Sequence, residues 1–147
     1  MLAILAALNF GISAGVGLSH DVVGLRLDAR YQQFTLFAST GVLNFQPGIA
    51  QDTTGWRSVG FGARWSSSPR GDRFFLAGNY LIFVHKERTE GWVHDNMATV
   101  TAGWRFKARS DVMFADVGAG GGLLFKSDDG YKAHPRPDIT LAVGMEF

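Results

Sequence analysis

The chain has 147 residues, a formal net charge of +1 and 18% charged residues. This length predicts a single domain, and the balanced charge supplies no basic stripe for a nucleic-acid partner. Without cysteine, disulfides, thiolate chemistry and Cys-based zinc sites are excluded. The composition is unusual in combining 19 glycines with 12 Phe, 4 Trp and 3 Tyr. The fold must therefore accommodate both very large and absent side chains.

The chain starts with a short apolar run, MLAILAAL. A membrane-spanning helix needs about 20 such residues. We interpret residues 1–7 either as the remnant of a secretory signal peptide or as an extension of the first strand. Residues 8–147 then form the single domain.

From residue 8 onward the apolar residues recur at every second position, which is the period of a β-strand. The first such segment places Leu8, Phe10, Ile12, Ala14, Val16 and Leu18 on one face. Six further segments repeat the pattern, and an eighth, from Phe74 to His85, is apolar on both faces. The predicted fold is all-β, an eight-stranded antiparallel up-and-down barrel.

The predicted connections alternate in length after the first turn. Residues 30–33, 66–72 and 107–111 form short turns, whereas residues 44–55, 85–96 and 126–138 form long polar loops. At one rim of the predicted barrel the strands are therefore joined by short turns, and at the other rim by long loops that are free to vary.

The strand face opposite the apolar residues distinguishes a soluble barrel from a transmembrane one. It holds twelve of the 19 glycines together with Ser, Thr, Arg and Asp, and no lysine. A soluble ligand-binding barrel would turn this face to water, where glycine only weakens a strand. A crowded lumen explains the glycines better, with the apolar face outward in lipid. The sequence therefore favours a transmembrane barrel over a soluble one.

The stretch ADVGAGGGLLF resembles a phosphate-binding loop only in its glycines. No predicted helix follows it, as a phosphate loop requires. Alternation instead assigns Asp116, Gly118, Gly120 and Gly122 to the lumen of a seventh strand. There the glycines would give clearance to long arginine side chains.

Aromatic residues collect at both predicted rims, as membrane-interface girdles do. Those at the short-turn rim are Phe10, Tyr31, Phe34, Trp65, Phe74, Trp104, Phe106 and Phe147. Those at the long-loop rim are Phe45, Trp56, Tyr80, Phe83, Trp92 and Phe125.

The last segment, DITLAVGMEF, resembles the terminal strand of bacterial outer-membrane barrels, in which it is the signal read by the barrel-assembly machinery. The matching positions are Ile139, Leu141, Val143, Met145 and Phe147, with Met145 where an aromatic residue is commoner. From residue 8 to its end the chain resembles the small eight-stranded class of the OmpA transmembrane domain and OmpX. The resemblance implies a bacterial outer membrane with its lipopolysaccharide, periplasmic termini and short turns, and long loops outside the cell.

Ionisable residues on the predicted lumen face are the candidate site. They are Arg26, Asp28, Arg30, Arg64, Arg105, Asp116 and Glu146. Charges confined in a lumen must be paired or hydrated, so we expect an ion-pair network that plugs the barrel. Arg105 and Asp116 should meet because their strands are neighbours, and Glu146 should lie beside strands one and seven. The alternative is a gate or a narrow channel for ions or small solutes.

We expect a structural, adhesive or partner-binding scaffold that acts through the three long loops, without an enzymatic activity, cofactor or metal. A lipid-modifying enzyme is a less favoured alternative, because no strand presents a His and a Ser two residues apart toward lipid. The four histidines are His20, His85, His94 and His134.

Two further charged sets are interpreted as solvated. The acidic and histidine side chains of the loops match no metal-ligand template; they are His85, Glu87, His94, Asp95, Asp128, Asp129, His134 and Asp138. The cations of the short turns could also meet anionic headgroups; they are Arg70, Arg73, Lys107 and Arg109.

Overall fold

The computed structural model describes residues 8–20, 22–41, 54–87, 91–126, 130 and 132–147. Eight antiparallel strands form a closed barrel in which each strand pairs with its sequence neighbours and β8 pairs with β1. This confirms the predicted all-β, up-and-down barrel. The strands are β1 (Asn9–Gly17), β2 (Val22–Tyr31), β3 (Phe34–Gly41), β4 (Thr54–Ser66), β5 (Arg73–Glu87), β6 (Gly91–Lys107), β7 (Met113–Phe125) and β8 (Ala133–Glu146). Residues 1–7, interpreted above as a signal remnant or a strand extension, lie outside the described residues.

Burial alternates along the strands as the sequence period predicts. In β3, for example, Thr35, Phe37 and Ser39 are buried, while Phe34 and Leu36 are exposed. Because side chains of a strand point to opposite faces in turn, this alternation gives the barrel a polar interior and an apolar exterior. No helix among the described residues is long and apolar enough to cross a membrane.

The strands are unequal in length, and this corrects the predicted loops. Strands β1 to β3 have 8 to 10 residues, whereas β4 to β8 have 13 to 17. The prediction of a loop at 85–96 is wrong, because β5 continues to Glu87 and β6 begins at Gly91. The loop at 126–138 is likewise too long, because β8 begins at Ala133. Of the remaining predicted loop, 44–55, residues 44–53 lie outside the described part of the chain, and the last two belong to β4.

The extra length of β8 explains how it includes two prolines from the predicted loop at 126–138. Its pairing with β1 ends at Val16↔Leu141, but its pairing with β7 continues to Phe125↔Ala133. Pro135 and Pro137 thus lie in a portion of β8 that has no β1 residue opposite. Proline is tolerated at such an edge, where its missing N–H does not interrupt a ladder, and it discourages pairing with another strand.

The short connections are tight turns at the rim that also carries both ends of the described chain; we call this the turn-side rim. The β4–β5 turn includes Gly71 at φ 73, with its N–H donating to Ser68 O at 2.9 Å. In the β6–β7 turn, Asp111 has φ 56 and its N–H donates to Ala108 O at 3.0 Å. Phe10 and Phe147 exchange two backbone hydrogen bonds, which close the barrel at this rim.

Candidate functional site

An ion-pair network fills the middle of the barrel, and Asp116 on β7 is at its centre. Arg105, directly opposite on β6, donates from Nε to Asp116 Oδ1 at 2.7 Å and from Nη2 to Oδ2 at 2.8 Å. Arg64 reaches the same carboxylate from β4, with Nη1 2.8 Å from Oδ2, and Arg26 Nη2 lies 3.5 Å away. All four side chains are almost completely buried. One carboxylate therefore ties three separate strands across the lumen to β7.

Two further carboxylates extend this network toward the turn-side rim. Asp28 accepts two hydrogen bonds from Arg26, at 2.8 and 3.0 Å. Glu146 accepts from Arg30 Nε at 2.7 Å, and its Oε2 lies 3.5 Å from Arg105 Nη1. Arg105 is also 3.5 Å from Asp28, so it contacts all three carboxylates. The structure brings together all seven lumen residues named from the sequence.

Lys107 joins the same network, which corrects its assignment to the solvated short turns. It lies in β6, two residues from Arg105 and on the same face, and its Nζ is 3.1 Å from Glu146 Oε2. The prediction that no lysine faces the lumen was wrong because the β6–β7 turn begins one residue later than expected. The described network then has five cations, Arg26, Arg30, Arg64, Arg105 and Lys107, and three carboxylates, Asp28, Asp116 and Glu146.

Three lumen phenylalanines support the arginines. Arg26 lies over Phe37 at 4.8 Å, Arg64 over Phe75 at 3.9 Å and Arg105 over Phe114 at 3.5 Å, each measured from Cζ to the ring centroid. A guanidinium above a ring face gains cation–π attraction, which is larger when water is excluded. The rings therefore hold the arginine heads where the carboxylates can reach them.

Three other glycines make room for these rings. The prediction that Gly118, Gly120 and Gly122 clear space for arginine is wrong, because a Cβ at each would meet neighbouring strand atoms and no arginine. A Cβ at Gly62 would lie 2.5 Å from Phe37 Cζ, one at Gly103 would lie 2.5 Å from Phe75 Cζ, and one at Gly144 would lie 2.5 Å from Phe114 Cζ. Each ring thus packs on a glycine and is covered by an arginine on the lumen side. We call each such set a Gly–Phe–Arg unit. Three of the 19 glycines and three of the 12 phenylalanines are therefore present for a shared reason.

The loop-side end of the lumen is closed by apolar side chains. Leu18, Leu81, Phe83, Met97 and Leu124 form one buried cluster, which we call the apolar seal. Leu18 was expected to face lipid and Phe83 to join the loop-side aromatic girdle, so both expectations were wrong. Strand alternation fails for Leu18 because β1 ends at Gly17, whose φ of 110 redirects the chain inward. Phe83 belongs to a strand that is apolar on both faces, so the sequence does not indicate which of the two faces points into the lumen.

The turn that carries Leu18 is a short 3₁₀ segment, Leu18–His20, which we call the inward turn. The backbone N–H and the backbone carbonyl of Leu18 are both hydrogen-bonded. Asp138 Oδ1 accepts from Leu18 N at 2.7 Å, and Asn79 Nδ2 donates to Leu18 O at 2.9 Å. Thr101 Oγ1 also donates to Asp138, at 2.6 Å. Asp138, interpreted above as a solvated loop residue, is instead a buried anchor of the inward turn, because β8 begins well before it.

His20 follows in the inward turn and is completely buried, with its Nε2 3.0 Å from Ser13 Oγ. Burial, together with the positive charge of Arg26, lowers the pKa of the imidazole from 6.5 to about 3, although the carboxylates of Asp116 and Asp28 act in the opposite direction. The imidazole is therefore neutral at ordinary pH. A Ser–His contact is also the first requirement of a nucleophilic hydrolase. Here both residues lie inside the packed lumen, so the contact serves to hold the turn.

The interpretation of the histidine and acidic residues near the loops as solvated is wrong for two of them, Asp95 and Asp138, which are buried. Within the described ranges no group of three or more His, Asp or Glu side chains could hold a metal ion. Asp95 and Asp138 are buried in the barrel wall, while His94 is exposed. Asp128 and Asp129 lie outside the described residues.

The exterior is apolar over most of the barrel wall. Every turn-side aromatic residue predicted to form a girdle is exposed, from 39% for Tyr31, Trp65 and Phe74 to 73% for Phe147. The terminal-strand positions Ile139, Leu141, Val143 and Met145 are exposed as well. On the loop side Tyr80 faces outward, whereas Phe45 lies outside the described residues and Trp56 and Trp92 have no described side chain.

Fold and site together define a closed eight-stranded barrel with a charged, ion-paired interior and an apolar outer surface. Comparison with known protein families, characterised proteins and solved structures finds no match for this chain.

Proposed function

We propose that this chain is a bacterial outer-membrane β-barrel of the general kind to which the OmpA transmembrane domain and OmpX belong. The observation that carries the proposal is the inverted distribution of side chains. The interior buries Arg, Asp, Glu, Ser and Thr, while Leu, Val, Ile and Phe side chains stand 40–70% exposed on the wall, for example Leu36 at 68% and Val143 at 65%. In water such a continuous apolar band would drive aggregation, whereas in a bilayer it is the expected surface.

The role we propose is that of a sealed scaffold in contact with lipid and lipopolysaccharide. Two successive barriers support a sealed lumen: the buried ion-pair network and, beyond it, the apolar seal around Leu81 and Phe83. An ion crossing the barrel would have to separate buried charge pairs and then pass closely packed hydrocarbon, and both steps are costly. These observations favour the scaffold over a channel for ions or small solutes.

Partner binding would then take place at the loop-side end. Strands β5 to β8 are longer than β1 to β3 and continue past the end of β1. Their extension is the part of the described chain best placed to meet an extracellular protein or surface. An adhesive or partner-binding role therefore remains part of the proposal. We assign it to the extended ends of β5 to β8, which take the place of the loops predicted at 85–96 and 126–138.

Folding into lipid vesicles tests the proposal. The urea-unfolded chain, diluted into phospholipid vesicles, should acquire β-structure, float with the vesicles and migrate differently on a gel with and without boiling. In planar bilayers the inserted protein should give no steady conductance. A chain that folds as a soluble monomer without lipid or detergent would refute the membrane assignment. Steady channels from the folded protein would support the channel in its place.

A further inference from the structure

The turn-side end of the barrel contains a cavity that the ion-pair network does not fill. Its volume is about 310 Å³, and it lies between the β4–β5 turn, the β6–β7 turn and the end of β8. Arg30 and Glu146 form its lumen side, and Arg30 also donates to the carbonyls of Gln32 and Pro69. Because the Arg30 guanidinium already donates these hydrogen bonds within the barrel, it is occupied and does not serve as the ligand-binding group. A ligand in the cavity would have to be recognised by the other side chains that line it.

Those other side chains carry charges of both signs. Arg70 lines the cavity from the β4–β5 turn and Lys107 lines it from the end of β6. Lys107 pairs with Glu146 at 3.1 Å, but its ammonium group has three N–H donors and can keep that contact while it binds a ligand. Asp111 lines the cavity from the β6–β7 turn and is exposed. A ligand that satisfies all three would need an oxyanion for Arg70 and Lys107 and an ammonium group for Asp111.

The cavity is also continuous with the apolar exterior. Val112 and Phe147 line it, and they are 41% and 73% exposed. Both belong to the wall at the turn-side rim, where Glu146 N donates to Val112 O at 2.7 Å. The cavity therefore joins a charged mouth to the start of the apolar band. This combination fits an amphiphile whose charged head enters the cavity while its hydrocarbon chains pass over Phe147.

We propose that this cavity binds a phospholipid headgroup that carries a phosphate and a primary ammonium, of the phosphatidylethanolamine type. The phosphate is held between Arg70 and Lys107, and the ammonium is held by Asp111. The acyl chains run along the apolar wall from Phe147. The inference rests on the proposed membrane placement, in which this rim faces the inner leaflet of the outer membrane.

Native mass spectrometry of the folded barrel in detergent tests the proposal. The protein is equilibrated with equimolar phosphatidylethanolamine, phosphatidylglycerol and phosphatidylcholine that carry the same acyl chains. The wild type should retain one phosphatidylethanolamine in preference to the other two lipids. Arg70→Gln and Asp111→Asn should each lower that adduct about fivefold, as expected for the loss of one partly exposed charge pair. Arg109→Gln is the matched control, because Arg109 lies in the same β6–β7 turn but does not line the cavity.

Three results would overturn the proposal. Equal adducts of the three lipids would remove the headgroup preference, and an equal loss in Arg70→Gln and Arg109→Gln would reduce the effect to general surface charge. Displacement of the lipid by an equal concentration of soluble phosphoethanolamine would make the site one for a free phosphate ester. Failure of the chain to insert into vesicles would instead refute the proposed function, whereas insertion without lipid preference refutes this inference only.

Discussion

The Gly–Phe–Arg unit made of Gly103 on β6, Phe75 on β5 and Arg64 on β4 predicts that Gly103→Ala destabilises the barrel. The added Cβ would lie 2.5 Å from Phe75 Cζ and 2.4 Å from Val117 O. Both distances are far below van der Waals contact, so the ring and the strand must shift and Arg64 loses its support. Overpacking of this kind costs about 1–3 kcal/mol.

The assay is urea unfolding of the protein in vesicles, followed by tryptophan fluorescence. Gly78→Ala is the control, because a Cβ there would meet only Thr99 O, at 3.9 Å. In a strand interior that control should be neutral or stabilising by up to about 1 kcal/mol. The double variant Gly103→Ala/Phe75→Leu should recover part of the loss, because the shorter side chain withdraws from the new methyl group. Coupling between contacting residues of this kind is about 0.5–3 kcal/mol.

Equal stability of Gly103→Ala and Gly78→Ala would contradict the predicted clash. So would a double variant in which Phe75→Leu adds its full cost to that of Gly103→Ala, because the glycine would then serve the backbone and not the ring.

Two further predictions concern the lumen. Asp116→Asn should lower the free energy of unfolding by about 3–5 kcal/mol, because it leaves buried arginines without a compensating charge. The control Asp111→Asn, at the exposed turn, should change the free energy of unfolding by less than about 1 kcal/mol. Similar losses in both variants would show that Asp116 is not central to the network. Because the pKa of His20 is about 3 in the barrel and 6.5 when unfolded, the unfolded state binds the extra proton. Stability should therefore be complete above about pH 6.5 and fall toward pH 3, by at most about 1.4 kcal/mol per pH unit. His20→Asn should flatten the stability profile at mildly acidic pH, and an unchanged slope would contradict the assignment.

The fold could be predicted because a strand repeats every two residues and a barrel sorts its side chains into only two faces. Asp116 and Arg105 could be paired from sequence for the same reason, because they lie opposite each other on consecutive strands. The inward turn could not, because a single positive φ at Gly17 ends the alternation and brings Leu18 into the lumen. The Gly–Phe–Arg units were missed since they join residues from different strands, and sequence spacing contains no signal for which ring meets which glycine.

The ends of the longer strands were also predicted wrongly, because their composition is that of a loop. Where strands project beyond their shorter neighbours, both faces can be polar, as in the segment that contains His94 and Asp95, and such segments have the composition of a loop. Asp138 illustrates the consequence. It was grouped with solvated loop residues, yet it is buried and accepts hydrogen bonds from Leu18 and Thr101.

Substitution of Val143 by arginine tests most directly whether the apolar wall faces lipid. Val143 is 65% exposed, and its cross-strand neighbours Ala14 and Ala115 leave space for a larger side chain. It lies four residues from Phe147, or about 10 Å into the apolar band along the tilted strand. In vesicles Val143→Arg should lower the free energy of unfolding by about 2–4 kcal/mol, whereas Ala133→Arg, at the start of β8, should lower it by less than about 1 kcal/mol. Equal stability of the two variants would contradict the account, because an arginine on a water-facing wall has no such cost.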